Sequence, residues 1–255
     1  MIKKLSLVIS RKIESFSSHF TILIFGECII NTCSGIYIFI YRVFNIFNKM
    51  RIRKIFPNIQ SAHIVRNCTS ERCSHSIHGH STTVELVFSA TNLDNAQMVM
   101  DFGLMKGPIK QLIDSMDHCY MLCTKDNPDF CKFISEECDR YITMPFNPSA
   151  EMLSVWLFAM IDEIMRRTTF NNGESSTLKL EETIYHETAS GSAECSRVDV
   201  YNLFNEKYDL ADIKFSEGVM KDWGQDLKNI YNDIQTAHTI NATVSNPIIP
   251  QQIKL

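Results

Sequence analysis

Residues 147–167 limit what this chain can fold into more than any other stretch. Asn147-Pro148 is followed by Met152, Leu153, Val155, Trp156, Leu157, Phe158, Met160, Ile161 and Ile164. Proline is favoured at the first helical position, so the pattern predicts a helix from there to about Arg167. It is apolar almost all round, and such a helix has to be covered on most sides. A sheet is the natural cover, and Ser81–Ala90 supplies its signature: Val84, Leu86 and Phe88 fall on one face, Thr83, Glu85 and Val87 on the other. That alternation predicts a half-buried strand.

The flanking segments extend the pattern. Arg51–Val65 predicts a strand with a break near Pro57, and Gln97–Met100 resumes a strand after a turn at Asn92–Asn95. Asp101 is placed to cap a helix to about Met116, with Leu104, Ile109, Leu112, Ile113 and Met116 inward. Gly107-Pro108 inside it predicts a kink or a delayed start. Leu178–Glu187 and Ala193–Tyr201 around Gly191 read as an antiparallel hairpin. The order ββααββ makes an α+β domain with an antiparallel sheet. Tyr208–Ile234 adds one amphipathic helix, and the tail after His238 reads as loose.

Composition excludes several classes. With 45% hydrophobic residues among 255, the chain is not disordered, and no internal period marks it as fibrous or repetitive. A net charge of −4 argues against a general nucleic-acid binder. Nine cysteines, an odd number, scatter from Cys28 to Cys195. They suit a reducing compartment with reactive or metal-bound thiols, and so a cytoplasmic location.

Charge divides the chain. Residues 1–49 carry six cations against Glu14 and Glu27, a net +4, which leaves −8 for the rest. Phe20–Phe44 is long enough to span a bilayer, although Glu27, Asn31 and two glycines oppose that reading. A membrane tether through residues 20–44, a processed leader, and a true start at Met50 (MRIRKIF) are all open. The expected organisation is 1–49 as an N-terminal extension, 50–201 as the α+β domain, and 202–255 as a C-terminal helical extension with a loose tail.

Four groups of residues carry chemistry. His78-Gly79-His80 opens a strand, where both imidazoles project to one face, and His63 ends the preceding strand. Three imidazoles on one face make a zinc site with a fourth position open; three unrelated histidines are the plain alternative. Cys68 and Cys73 lie between them, so a structural site of two cysteines and two histidines competes. A thiolate near zinc would have a lowered pKa. Asp117-His118 is either an oriented acid–base pair or a helix cap. Glu187 is either a solvated strand end or a carboxylate able to grip a ring's amino and N–H pair by two hydrogen bonds.

Taken together, SAH (61–63), CSHSIHGH (73–80), MVMDF (98–102), DSMDH (114–118), NPSAE (147–151) and HETASGSAEC (186–195) resemble, in order, the 6-pyruvoyl-tetrahydropterin synthase / 6-carboxytetrahydropterin synthase family. The likeness covers about residues 50–200. It implies the tunnelling fold: two antiparallel helices on a four-stranded antiparallel sheet, with subunits joining sheets into a barrel, commonly a hexamer, and active sites between subunits. It implies a homo-oligomer, zinc held by His63, His78 and His80, Asp117 and His118 working with a catalytic cysteine, and Glu187 anchoring a pterin. Glu187, Thr188, Gly191 and Cys195 look more like the bacterial branch that feeds 7-deazaguanine (queuosine) biosynthesis. The implied reaction is a zinc-dependent lyase step on 7,8-dihydroneopterin triphosphate, giving 6-carboxy-5,6,7,8-tetrahydropterin, acetaldehyde and triphosphate. The alternatives are the pyruvoyl-forming elimination of triphosphate and a non-catalytic, zinc-stabilised member. One departure stands out: most members have the cysteine four residues before the first histidine of His-x-His, where this chain has Ser74, so Cys73 becomes the catalytic candidate. Cys123–Phe146 is longer than the usual connection, and residues 202–255 lie beyond the family core.

Overall fold

The computed structural model describes residues 49–241, with side chains through residue 236. The elements are β1 (Met50–His63), α1 (Glu71–His75), β2 (His78–Ala90), a 3-10 turn (Phe102–Lys106), α2 (Pro108–Asp114), β3 (Cys119–Cys123), α3 (Pro128–Glu137), β4 (Tyr141–Met144), α4 (Ala150–Arg167), β5 (Lys179–His186) and β6 (Ser192–Ser196). The domain ends with α5 (Arg197–Val200), and the extension adds β7 (Lys214–Phe215), α6 (Glu217–Met220) and α7 (Gln225–Asn241). The fold is α+β, as expected. Its sheet, however, has seven strands in the order β6-β5-β2-β1-β3-β4-β7.

The four predicted strands form an antiparallel unit, β6-β5-β2-β1. β3 and β4 then join in parallel, and β7 closes the edge antiparallel to β4. The residues of β3, CYMLC, are all buried, so they carry no alternation to announce a strand. β1 runs through Pro57 without ending; a register shift between Phe56 and Ile59 absorbs it. Gln97–Met100 is not a strand. The Asp94 carboxylate accepts from the Ala96 and Met98 N–H groups and holds that segment as a turn.

Both predicted helices start later than expected. Asp101 caps only the 3-10 turn, and α2 begins at Pro108. Ser149 is the N-cap of α4, so Pro148 stays outside the helix. The single helix expected over 208–234 is instead a run of short elements, and α7 starts only at Gln225.

The core explains the apolar girth of α4. Val84, Leu86 and Phe88 meet Trp156, Leu157, Phe158 and Ile161 in one cluster, which Phe215, Trp223, Leu227 and Tyr231 of the extension join. The opposite face of β2 is covered too. Val87 stands in register with Arg53 and Glu182, and Glu85 is flanked by Arg53 and His186. The strand is therefore buried on both faces rather than half-buried. Among the described residues no helix is long and apolar enough to cross a membrane. Residues 20–44 and the tail beyond 241 lie outside the described residues.

Candidate metal centre and surrounding site

β-sheet register assembles the three histidines. His63 stands directly opposite His78, and His80 opposite Ser61. Directly opposed residues share a face, so all three rings project to the core side of the sheet, beyond Thr82 and Val84. Ring centroids are 4.6 Å (His63–His78), 5.2 Å (His63–His80) and 5.1 Å (His78–His80) apart. One nitrogen from each lies within 4.8 Å of the others. Gly79 lets the strands close here: a Cβ at this position would lie 2.8 Å from the Ser61 carbonyl oxygen.

Backbone carbonyls set the tautomers. His63 Nδ1 is 2.7 Å from the Pro148 carbonyl oxygen, and His78 Nδ1 is 3.0 Å from that of Ser76. A carbonyl only accepts, so each Nδ1 carries the proton and each Nε2 keeps a lone pair. His63 Nε2 is buried and has no hydrogen-bond partner. A buried unpaired acceptor is costly, and a cation satisfies it. Neutral imidazoles with their second nitrogen tied to a carbonyl are the usual ligands of a divalent metal. The residues present therefore fit a metal ion, and three ligands leave a further coordination position for a substrate. The competing set is not assembled: among the described residues the trio is the one group of three such ligands, while the Cys68 thiol donates to the Ser70 carbonyl.

Burial, with help from neighbouring His78 and His80, pushes the His63 imidazole from its ordinary 6.5 to about 4, against the opposing pull of the Pro148 carbonyl. The folded protein thus binds fewer protons at this ring than the unfolded chain does. The metal-free protein is expected to hold this contribution above about pH 6.5 and to lose it as pH falls toward about 4, by about 1.4 kcal/mol per pH unit at most. Melting temperature with chelator present, compared from pH 7 to 5 between wild type and His63→Asn, measures it. Parallel curves would contradict the assignment.

Glu187 follows the end of β5. Its Oε1 is 3.7 Å from His63 Nε2 and 4.0 Å from His80 Nε2, beside the trio but beyond hydrogen-bond range. Asp117 and His118 stand between α2 and β3. The His118 ring Nδ1 is 3.0 Å from Asp117 Oδ2, while Asp117 Oδ1 accepts the Gln60 N–H at 2.7 Å. Partial burial would raise the Asp117 pKa, but the Gln60 N–H and the His118 ring outweigh it and the carboxyl lies below its ordinary range. An ionised Asp117 fixes the proton on His118 Nδ1 and leaves Nε2 outward on an exposed ring. The carboxylate is bound to β1 and the imidazole rather than capping α2.

Cys73 is half-buried in α1. The Ser74 side chain is buried, and its hydroxyl donates to the Ser70 carbonyl at 3.0 Å and lies 2.8 Å from His75 Nδ1. The single chain thus brings His63, His78, His80 and Glu187 together. Among the described residues, neither Cys73 nor the Asp117–His118 pair hydrogen-bonds or ion-pairs with that group. Pro148 and Gln60 were not legible as site residues: each acts through its backbone, which leaves no side-chain signature. Pro148 lies inside NPSAE but reads as a helix start.

A family model described as 6-pyruvoyl tetrahydropterin synthase matches residues 52–201. Two proteins from Helicobacter pylori strains, both named 6-carboxy-5,6,7,8-tetrahydropterin synthase, are similar. One is 37% identical over 68% of this chain and 86% of its own length. The other is 35% identical over 72% and 91%. An Aquifex aeolicus protein of the same name is 28% identical over 47% and 73%. Solved structures superpose loosely. The uncharacterized protein WS1659 of Wolinella succinogenes has a TM-score of 0.48 at 17% identity, covering 58% of this chain and 98% of that one. The Plasmodium vivax 6-pyruvoyl tetrahydropterin synthase has 0.41 at 16%, with 58% and 98% covered.

Proposed function

We propose, from the premise that the chain belongs to the 6-pyruvoyl tetrahydropterin synthase family, that it is a zinc-dependent carbon–carbon lyase. Its substrates are 7,8-dihydroneopterin triphosphate and one water, which supplies the second carboxylate oxygen, and its products are 6-carboxy-5,6,7,8-tetrahydropterin, acetaldehyde and triphosphate, an early step of queuosine biosynthesis. The observation that carries this reading is the convergence of His63, His78 and His80 on one point, with a buried His63 Nε2 that no protein group satisfies. The shared name of the Helicobacter and Aquifex relatives favours the carboxy product.

His63 and His78 would hold the zinc through Nε2, with His80 as the third ligand. When bound, zinc supplies Lewis acidity that lowers the pKa of side-chain hydroxyls on the substrate. Glu187, at the rim of the trio, grips the amino and N–H edge of the pterin by two hydrogen bonds and sets the ring's orientation. Cys73, as thiolate, takes a proton from the side chain. His118 gives or receives one at Nε2, with Asp117 holding its tautomer. Because these two groups sit on segments apart from the trio, a homo-oligomer that places one copy's pair against another copy's metal completes the site.

Product mass tests this. The full chain, loaded with zinc, is incubated with dihydroneopterin triphosphate and the pterin is read by mass spectrometry. The expected result is the carboxytetrahydropterin with stoichiometric acetaldehyde. The second reading, triphosphate elimination without side-chain cleavage, is the activity that the family description names; a pyruvoyl product without acetaldehyde would move the protein to it. Bound zinc with no turnover would overturn both in favour of a non-catalytic role.

A further inference from the structure

We infer that Arg140 is a positioning residue, through which the C-terminal extension holds the backbone that carries Asp117 and His118. This rests on the reading of that pair as the proton-handling partner of Cys73. It gives a task to the long connecting segment 123–146 and to the chain beyond residue 201, where the family match ends.

Arg140 immediately precedes β4, and its side chain is mostly buried. Its Nε donates to the Asp117 carbonyl at 3.1 Å, and Nη2 to the Asp114 carbonyl at 3.4 Å. These carbonyls end α2 and the turn after it; that of Asp114 also accepts the Asp117 N–H at 3.0 Å. Nη1 donates to the Gly218 carbonyl at 2.9 Å and pairs with Asp222 Oδ2 at 2.6 Å. One guanidinium thus joins the catalytic turn to the extension, a task that its fork of five donors suits and a lysine's single ammonium does not.

The turn has something to hold. His118 has a φ of +51°, a left-handed conformation that residues with side chains seldom adopt. The His118 N–H donates to the Gln60 carbonyl at 2.6 Å, which fixes it from the β1 side. Arg140 fixes the peptide before it from the other. The Arg140 carbonyl itself accepts the Tyr120 N–H at 3.1 Å. Its positive charge also adds to the forces that keep Asp117 ionised.

The extension is seated firmly enough to serve as an anchor. A Cβ at Gly218 would lie 2.2 Å from the Asp139 carbonyl oxygen, so only glycine permits this approach. The Ser216 hydroxyl donates to the Asp139 carbonyl at 2.8 Å and accepts the Tyr141 N–H at 3.1 Å. Trp223 Nε1 donates to Ser115 Oγ at 2.7 Å, inside the turn itself.

The test uses full-length Arg140→Gln and Arg140→Lys, with Lys221→Ala as control, since Lys221 makes only an exposed ion pair to Asp139. Arg140→Gln is expected to keep bound metal and KM while kcat falls about 10- to 100-fold, the scale of a slight misplacement of a reacting group. Arg140→Lys is expected to recover part of the loss, and Lys221→Ala to match wild type. In ¹H–¹⁵N spectra of ring-labelled histidine, the His118 signal, assigned with His118→Asn, should shift in Arg140→Gln while the metal-site rings do not. That readout needs no turnover, so it separates this inference from the proposed activity: a wild type that converts no pterin sinks the activity alone. An unchanged kcat and His118 signal would overturn the positioning role. So would a parallel loss of metal, KM and melting temperature in both substitutions, since that marks a merely structural residue.

Discussion

His78→Ala is expected to strip the metal and abolish turnover in a protein that stays folded. The choice of histidine matters. His63 is buried and bound to the Pro148 carbonyl, so its loss would open the core beside α4 and confuse folding with function. His78 is the first residue of β2, is half-exposed, and touches the other two rings and the Ser76 carbonyl. Removing its ring leaves two imidazoles where tetrahedral binding needs three protein ligands. Loss of a mere hydrogen-bond partner to a ligand costs about 10- to 100-fold in affinity, so loss of the ligand itself is expected to exceed about 100-fold. Without the Lewis acid the chemical step loses several kcal/mol of stabilisation, about 10³-fold or more in rate. Elemental analysis after dialysis, circular dichroism and product formation read the three quantities separately. A fully active variant without metal would refute the metal-centred mechanism.

The same residues show why part of this protein was legible in sequence and part was not. Alternation in residues 81–90 gives away β2 because one register choice buries Val84, Leu86 and Phe88 together, and the histidines at its mouth inherit that face. The trio then follows from one more fact, that the adjacent strand ends at His63. β3 and β4 are different. They are short and pair in parallel, and the face alternation that marks an exposed strand is absent from the wholly buried β3. The extension hides for another reason. Gly218 and Gly224 permit close approaches, to Asp139 and Gln111, that make sense only in the folded chain, and they break a stretch whose apolar spacing resembles one helix. Pro148 illustrates the general limit: its carbonyl sets the tautomer of the His63 imidazole 85 residues away, and a carbonyl is the same in every residue. Side-chain chemistry was readable; the backbone groups that aim it were not.

Cys73→Ala is the complementary experiment, expected to keep the metal and lose turnover by about 10²- to 10⁴-fold, the usual worth of a positioned proton-transfer group. The competing residue is Ser74, four residues before His78, where the family resemblance leads one to expect the cysteine. Structure separates the two. The Ser74 hydroxyl is buried and already committed to the Ser70 carbonyl and the His75 ring, so it has no proton-accepting role to spare. Cys73, one residue earlier on α1, is half-buried, and a thiol, unlike a hydroxyl, is readily activated as a thiolate by a charged neighbour. A serine hydroxyl does not ionise near neutrality without a strong base beside it. Ser74→Ala is accordingly expected to cost about 1 kcal/mol of stability through the lost hydrogen bond and to leave kcat within a few-fold of wild type. Measuring zinc content, melting temperature and kcat for both substitutions gives a crossed pattern: metal kept in each, activity lost only in Cys73→Ala. The reverse pattern would place the catalytic group at Ser74 and return α1 to the family's ordinary register. If both variants turned over normally, the proton would have to be taken by His118 alone.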